Sequence, residues 1–307
     1  MAEKLTIGTR GSMLALWQTN WVKAQIEKHH TNLLVEVQII STKGDRVLDV
    51  SLPKLGEQGK GLFTKELEDA MFANEIDLAV HSLKDLPTEL PAGLCLGAIC
   101  EREDVRDAFI ARTGIAAFAE LPIGAKVGTS SLRREAQIRA MRPDLEILPI
   151  RGNVDTRLRK LDAGEYDAII LAAAGLRRLD YGNRITEYLN AEVMLSAVGQ
   201  GALGIETRES DERVNSLLKA LDHQQTRLAC LAERAFLKGL GGGCLVPIAA
   251  YGKIDGDDLQ LDGLVAKSDG SEIIRAGMKA KSSEAETLGQ HLADELLQRG
   301  AKRLLEN

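Results

Sequence analysis

Along this chain, short apolar runs alternate with stretches of helical period, and the alternation occurs twice in the same order. In the first pass Leu5-Thr6-Ile7 reads as a strand, Gly8-Thr9-Arg10-Gly11-Ser12 as a turn, and the residues from Met13 toward His29 as a helix opened by Ser12. A β-rich run at 35–40 ends at Ser41-Thr42-Lys43-Gly44, an amphipathic helix follows at 63–73, and an acidic-led buried strand closes the pass at 77–80. In the second pass a strand at 125–127 runs into Gly128-Thr129-Ser130-Ser131 and a helix at 132–141. A β-rich run at 145–150, the turn Arg151-Gly152-Asn153, a helix at 154–161 and an acidic-led strand at 167–171 complete it. Continuous apolar strands separated by helices predict parallel sheets covered on both faces, hence an α/β protein with two similar lobes.

The remaining pattern places a third part. A glycine-rich apolar segment at 197–205 predicts a return of the chain to the first lobe, and residues 211–238 read as a helix ended by Gly239. Beyond Cys244 come short strands at 246–251, 259–265 and 272–276, separated by Asp255-Gly256 and Asp269-Gly270 turns, with a final amphipathic helix at 283–298. That is a small antiparallel meander covered on one face. The expected division is a first lobe of 1–100 with 199–217, a second lobe of 101–198, and a C-terminal α+β domain of 218–307.

Composition narrows the function classes. The 307 residues are 44% hydrophobic and 27% charged, ample for two or three cores. No stretch reaches the roughly 18 apolar residues of a membrane-spanning helix, and residues 1–30 show no leader pattern, so a cytoplasmic protein without a membrane partner is expected. Cys95, Cys100, Cys230 and Cys244 form no CxxC and have no nearby His pair, which argues against a metal site and a disulfide framework. A net charge of −6 argues against a nucleic-acid partner. Charge is uneven, however: between Lys126 and Lys160 nine basic residues stand against four acidic ones. With only 4% aromatic residues this patch offers no base-stacking groove and suits small polyanions better.

In parallel α/β sheets ligands bind beyond the carboxyl ends of the strands, which selects the loops at 9–12, 81–85, 129–134 and 151–157. In His81-Ser82-Leu83-Lys84-Asp85-Leu86-Pro87, Asp85 reads either as a carboxylate that stabilises positive charge in a reacting group or as a cap before a proline-ended turn. Arg133 and Arg134 oppose the dipole of the helix they open, a penalty that a bound anion would offset; a solvated helix face is the alternative. Gly241, Gly242 and Gly243 lead to Cys244, either to display its thiol or to stop a helix ahead of a small buried residue.

Several of these motifs resemble one family. Gly8 to Ser12 with Leu14-Ala15-Leu16-Trp17-Gln18, Gly59-Lys60-Gly61-Leu62-Phe63, the 81–87 loop, Gly128-Thr129-Ser130-Ser131-Leu132-Arg133-Arg134, Arg151-Gly152-Asn153, Thr156-Arg157-Leu158, the 197–202 segment and Gly242-Gly243-Cys244 are similar to porphobilinogen deaminases, also called hydroxymethylbilane synthases. The resemblance runs through nearly the whole chain. It implies a three-domain α/β transferase of tetrapyrrole and heme biosynthesis, monomeric, that condenses four porphobilinogen molecules with loss of ammonia. It also implies a dipyrromethane cofactor held through a thioether at Cys244, with Asp85 as the catalytic carboxylate at the pyrrole nitrogens. Lys84, Ser130, Arg133, Arg134, Arg151 and Arg157 match cofactor-binding positions. Arg10, Ser12 and Arg178 match substrate-binding positions, and Lys60 and Phe63 a mobile loop. Two departures stand out: the loop at 56–61 is about two residues longer than the family's common form, and Leu245 replaces a more usual glutamine. Two rivals remain, a two-lobed small-anion binding protein without catalysis, which needs neither Asp85 nor Cys244, and a transferase using Cys244 as a free thiol.

Overall fold

A computed structural model describes residues 3–46, 63–242 and 246–306. Lys60, Cys244, Leu245 and the 56–61 loop therefore lie outside the described residues. The chain divides into two compact units, Met1–Glu103 with Ala202–Arg227 and Asp104–Gly201 with Leu228–Asn307.

In the first unit, β1 (Glu3–Thr9), β2 (Leu33–Ile39) and β3 (Leu78–Ser82) are parallel, with β1 in the middle. Helix α1 (Met13–His29) follows β1, capped by the Ser12 hydroxyl, which accepts from the Ala15 N–H at 3.3 Å. Helices α2 (Lys43–Arg46) and α3 (Lys65–Phe72) connect β2 to β3. The sheet is completed by β10 (Leu203–Arg208) and β4 (Leu94–Ile99), in the order β2-β1-β3-β10-β4. Both pairings of β10 are antiparallel, so the sheet is mixed where the sequence pattern predicts a parallel one. The register explains the direction: Leu203 lies opposite Ser82, so β10 enters at the edge where β3 ends.

The expected long helix at 211–238 is broken. Helix α7 (Glu212–Leu218) stops, Asp222 and His223 bond back to β4, and α8 (Gln224–Gly239) starts anew. The His223 N–H donates to Ile99 O at 2.9 Å, and Asp222 accepts from the Ile99 N–H at 2.8 Å and from Arg227 Nε. Leu218 and Leu221 are buried with Ile7, Val80 and Ile205 in the core of the first unit.

The second unit repeats the plan. Strands β6 (Lys126–Gly128), β7 (Glu146–Leu148) and β8 (Ala168–Ala172) are parallel, followed by α4 (Leu132–Met141), α5 (Val154–Asp162) and α6 (Ala173–Arg178) respectively. Strand β5 (Asp107–Ala111) is inserted antiparallel between β8 and β9 (Glu187–Leu189), giving β7-β6-β8-β5-β9. The two acidic strand leaders have one job in both units: Asp77 accepts from the Thr6 N–H at 2.7 Å, and Asp167 from the Lys126 N–H at 2.8 Å. Each ties the start of a central strand to its parallel neighbour.

The C-terminal sheet is the expected antiparallel meander of β11 (Ile248–Asp255), β12 (Asp258–Ala266) and β13 (Ile273–Lys281). Helices α8, α9 (Ala285–Gln298) and α10 (Ala301–Leu305) share its core through Phe236, Leu261, Val265, Leu292 and Leu304. A Cβ at Gly263 would come within 2.6 Å of Phe236 Cζ, so this glycine is what lets the ring lie on the strand.

Candidate functional site

In each unit the sequence-selected loops gather at the carboxyl ends of parallel neighbours. In the first, β1 and β3 are adjacent, with Ile7 beside Leu78, so Arg10 and Ser12 emerge next to Ser82, Lys84 and Asp85. Gln18 of α1 donates to the Ser82 hydroxyl at 2.9 Å and links the two loops. Arg10 lies 4.2 Å over the ring of Phe63, a cation–π contact.

Asp85 closes a single 3₁₀ turn, Leu83–Asp85, set directly on the end of β3. Leu83 and Leu86 are buried beneath it, and the Leu83 N–H donates to Ala202 O at 3.0 Å, pinning the turn to the start of β10. Gly204 makes room for both leucines, since a Cβ there would stand 3.0 Å from Leu83 Cδ1 and 3.1 Å from Leu86 Cδ1. Asp85 itself is exposed, and among the described residues its carboxylate makes no hydrogen bond or ion pair. Among those residues it caps nothing, so the turn-capping alternative loses its basis. Lys84 is half-buried and engaged within the protein.

Behind this turn lies a cluster that sequence reasoning missed. His81 Nε2 sits 3.0 Å from the carboxylate of Glu206, both buried. The contact is not aligned as a hydrogen bond, and neither Glu206 oxygen accepts one from the described residues. Glu68 of α3 completes the cluster. Burial pushes its carboxyl above the usual range, opposed by the Thr64 hydroxyl, and the charge of Glu206 adds to the rise. The unfolded chain releases this proton at the ordinary carboxylate value while the folded state retains it. Stability therefore falls as pH rises from that value to the folded one, and the cost persists above it. Glu68→Gln is expected to match the parent near pH 4 and to melt about 2–4 °C higher near pH 7.5, as roughly 1 kcal/mol would give. Thermal melts at both pH values check this; an equal difference at both would contradict it.

In the second unit the antiparallel insertion of β5 carries its first residue, Asp107, to the edge where β6 and β8 end. There it meets α4. Arg133 Nη1 donates to Asp107 Oδ2 at 2.7 Å and to Leu195 O at 2.6 Å. Arg134 donates to Asp107 Oδ1 from Nη2 at 2.7 Å and from Nε at 3.0 Å, and to Ile170 O from Nη1. Both arginines are at most 6% exposed and Asp107 is fully enclosed, which removes the solvated-face alternative. Burial alone would push the Asp107 carboxyl up. The charges and hydrogen bonds of the two arginines outweigh it and hold the group well below the usual range. Burial also lowers Arg133, against the opposing pull of Asp107. Two guanidinium groups on one carboxylate leave a net positive charge in a buried place, and Arg133 Nε and Nη2 donate to nothing among the described residues.

The other expected ligands in this unit differ in availability. Arg151 makes no hydrogen bond among the described residues. Arg157 Nε donates to Gly152 O at 2.8 Å, and buried Arg178 donates to Gly201 O at 2.7 Å. The Ser130 hydroxyl donates to Ile150 O at 2.8 Å and accepts from the Ile150 N–H at 3.0 Å, so its first task is to splice two loops.

The approach to Cys244 is described as far as Gly242. Gly239 is the last residue of α8, where the sequence suggests the helix ends, and Gly241, at φ +64°, makes the turn. The Gly241 N–H bonds Lys238 O and the Gly242 N–H bonds Leu237 O, the pairing of a Schellman stop. A Cβ at Gly242 would collide with Ile248 Cδ1, so this glycine serves close packing. Among the described residues no group of His, Cys, Asp or Glu is arranged to hold a metal, and no helix is long and apolar enough to cross a membrane.

Comparison with known proteins adds two findings. Residues 5–216 match the family model described as porphobilinogen deaminase, dipyromethane cofactor binding domain, and residues 227–298 match porphobilinogen deaminase, C-terminal domain. Among solved structures the chain is similar to ytmK of Bacillus subtilis, a probable amino-acid ABC transporter extracellular-binding protein, at 11% identity and TM-score 0.41, over 72% of this chain and 91% of that one. It is also similar to the methionine-binding protein MetQ, at 11% identity and TM-score 0.46 over 71% and 89% of the two chains. The BenM effector-binding domain with benzoate matches at 16% identity and TM-score 0.44, over 71% and 90%.

Proposed function

The chain belongs to the porphobilinogen deaminase family, and from that premise we propose which of its residues carry the chemistry. Its activity is the hydroxymethylbilane synthase reaction of tetrapyrrole biosynthesis: four porphobilinogen molecules are joined head to tail with release of ammonia, and water frees the linear product. The cofactor is dipyrromethane.

The residues suit that cofactor. Each pyrrole carries an acetate and a propionate, and the second unit offers a buried cluster with excess positive charge, in which two Arg133 nitrogens and Arg151 make no hydrogen bond among the described residues. Arg133, Arg134, Arg151 and Arg157, with Lys84 and Ser130, would hold its carboxylates, and Cys244 would anchor it through sulfur. When bound, it supplies the free pyrrole α-carbon to which substrate is joined. Arg10, Ser12 and Arg178 would take the carboxylates of incoming porphobilinogen, with Lys60 and Phe63 flanking it. The Arg10–Phe63 contact orients that guanidinium.

Asp85 is the proposed catalytic group. Loss of ammonia from the aminomethyl carbon of porphobilinogen leaves positive charge spread into the ring and its N–H. A carboxylate fixed beside that N–H lowers the barrier, because its orientation is set before the charge appears. It can also accept the ring proton released when the new carbon–carbon bond forms. The observation that carries this reading is the Asp85 carboxylate on a turn pinned by Leu83 and Leu86, with no partner among the described residues.

The three sheets support a three-domain organisation, with the third domain starting after Arg227 because Leu218 and Leu221 pack in the first core. We place the enzyme in the cytoplasm as a monomer serving heme synthesis, as the family resemblance implies. Ammonia release measured with porphobilinogen consumption tests the function. One ammonia per porphobilinogen and an Ehrlich-positive linear tetrapyrrole are expected; binding without ammonia release would return the anion-binder reading.

A further inference from the structure

Asp107 lies outside the residues that the sequence motifs single out, yet it organises the second unit's anion-binding edge. Each of its oxygens takes a guanidinium: Oδ2 accepts from Arg133, and Oδ1 from both Nε and Nη2 of Arg134. Oδ1 also accepts from Gln200 Nε2 at 3.0 Å, and the same amide nitrogen donates to Val105 O at 2.8 Å. The side chain thus joins helix α4, the start of β5 and the segment around Gln200 at one point. Arg133 makes a single bond to the carboxylate and one to Leu195 O, so two fixed points set its guanidinium plane while Nε and Nη2 stay open among the described residues. Gln137, one turn along α4, fixes Leu195 in turn by donating to its oxygen at 3.1 Å and accepting from its N–H at 2.8 Å.

We propose that Asp107 is a positioning residue for primer assembly: it orients the Arg133 guanidinium, and locks Arg134 beside it, so that the open donors of Arg133 meet the carboxylates of the pyrroles being joined. This rests on the reading that those arginines hold primer carboxylates. Asp107 touches no ligand itself. A carboxylate enclosed by four N–H donors on three side chains is suited to this task, because a guanidinium has a rotatable stem and a planar fork whose direction decides which anion it can grip. Compensation of buried charge is the competing role, and geometry separates the two: any carboxylate at the site supplies charge, while only one of the right length supplies direction.

The experiment uses the full chain prepared free of primer and then given porphobilinogen. Asp107→Asn, Asp107→Glu and Arg133→Leu are compared with the parent by intact mass of the Cys244 adduct over time and by thermal melting. A misdirected guanidinium is expected to slow primer attachment about 100-fold in Asp107→Asn, the scale of an ångström-level misplacement. Asp107→Glu keeps the charge and moves the carboxylate, so it is expected to melt close to the parent and still load slowly. Parental loading in Asp107→Glu would reduce Asp107 to charge compensation and overturn the proposal, as would failure of both Asp107 variants to fold. Normal loading in Asp107→Asn with loss of loading in Arg133→Leu would reject Asp107 alone. Normal loading in Arg133→Leu would reject the arginine reading on which the proposal rests.

Discussion

Asp85→Asn is expected to keep its fold and its primer and to lose about 10²–10³-fold in kcat, the loss that follows removal of one preorganised charge-stabilising group. The fold is spared because the Asp85 carboxylate is exposed and makes no bond among the described residues, while the turn is held by Leu83, Leu86 and the Leu83 N–H to Ala202 O bond. Asparagine keeps the shape and removes the charge. Positive charge develops on substrate only as ammonia leaves, so kcat should fall far more than KM rises. Steady-state kinetics on the variant, with its melting curve and adduct mass recorded alongside, decide the matter. A rate near the parent's would remove Asp85 from the chemistry.

Cys244→Ser is expected to carry no pyrrole adduct and to show no sustained turnover. A thiol, with an ordinary pKa of about 8.5, supplies a nucleophilic thiolate that a serine hydroxyl cannot match near neutral pH. Without the thioether every addition becomes an encounter between free molecules. It forfeits the effective molarity of an anchored partner, about 10⁵–10⁸ M where geometry is good. The chain leading to this position is firmly set as far as Gly242, through the left-handed Gly241 and the bonds to Lys238 and Leu237. The substitution should therefore leave the melting temperature of the apo protein near that of the apo parent. Porphobilinogen consumption by Cys244→Ser at the parental rate would contradict the anchoring role.

The elements legible in the sequence were those with local causes. Ser12 opens α1 and caps it, Asp77 and Asp167 lead matching strands, and the Asp255-Gly256 and Asp269-Gly270 turns separate the strands of the C-terminal meander. Strands β4, β5 and β9 escaped, as did the antiparallel entry of β5 and β10, because direction in a sheet depends on where distant chain returns and leaves no periodic mark. The site divides in the same way. Loop residues such as Arg10, Lys84 and Asp85 follow apolar strands directly and could be read from their position. Asp107, Glu206 and Glu68 could not, since their partners lie far away in sequence. One signal for Asp107 was present: it leads the apolar run 107–111 just as Asp77 and Asp167 lead theirs. The arginine pair shows the converse lesson. Its conflict with the helix dipole pointed to an anion, and an anion was found within the protein itself in Asp107, with positive charge still in excess.

Intact mass of the freshly purified protein, followed by peptide mapping and an Ehrlich-type colour reaction, bears most directly on the claim that this chain builds upon a primer anchored at Cys244. The expected result is a mass increment of two linked pyrroles, carried by the peptide containing Cys244, colour-positive, and absent from Cys244→Ser. A free thiol at Cys244 in protein that turns over porphobilinogen, or the same adduct on another residue, would contradict it.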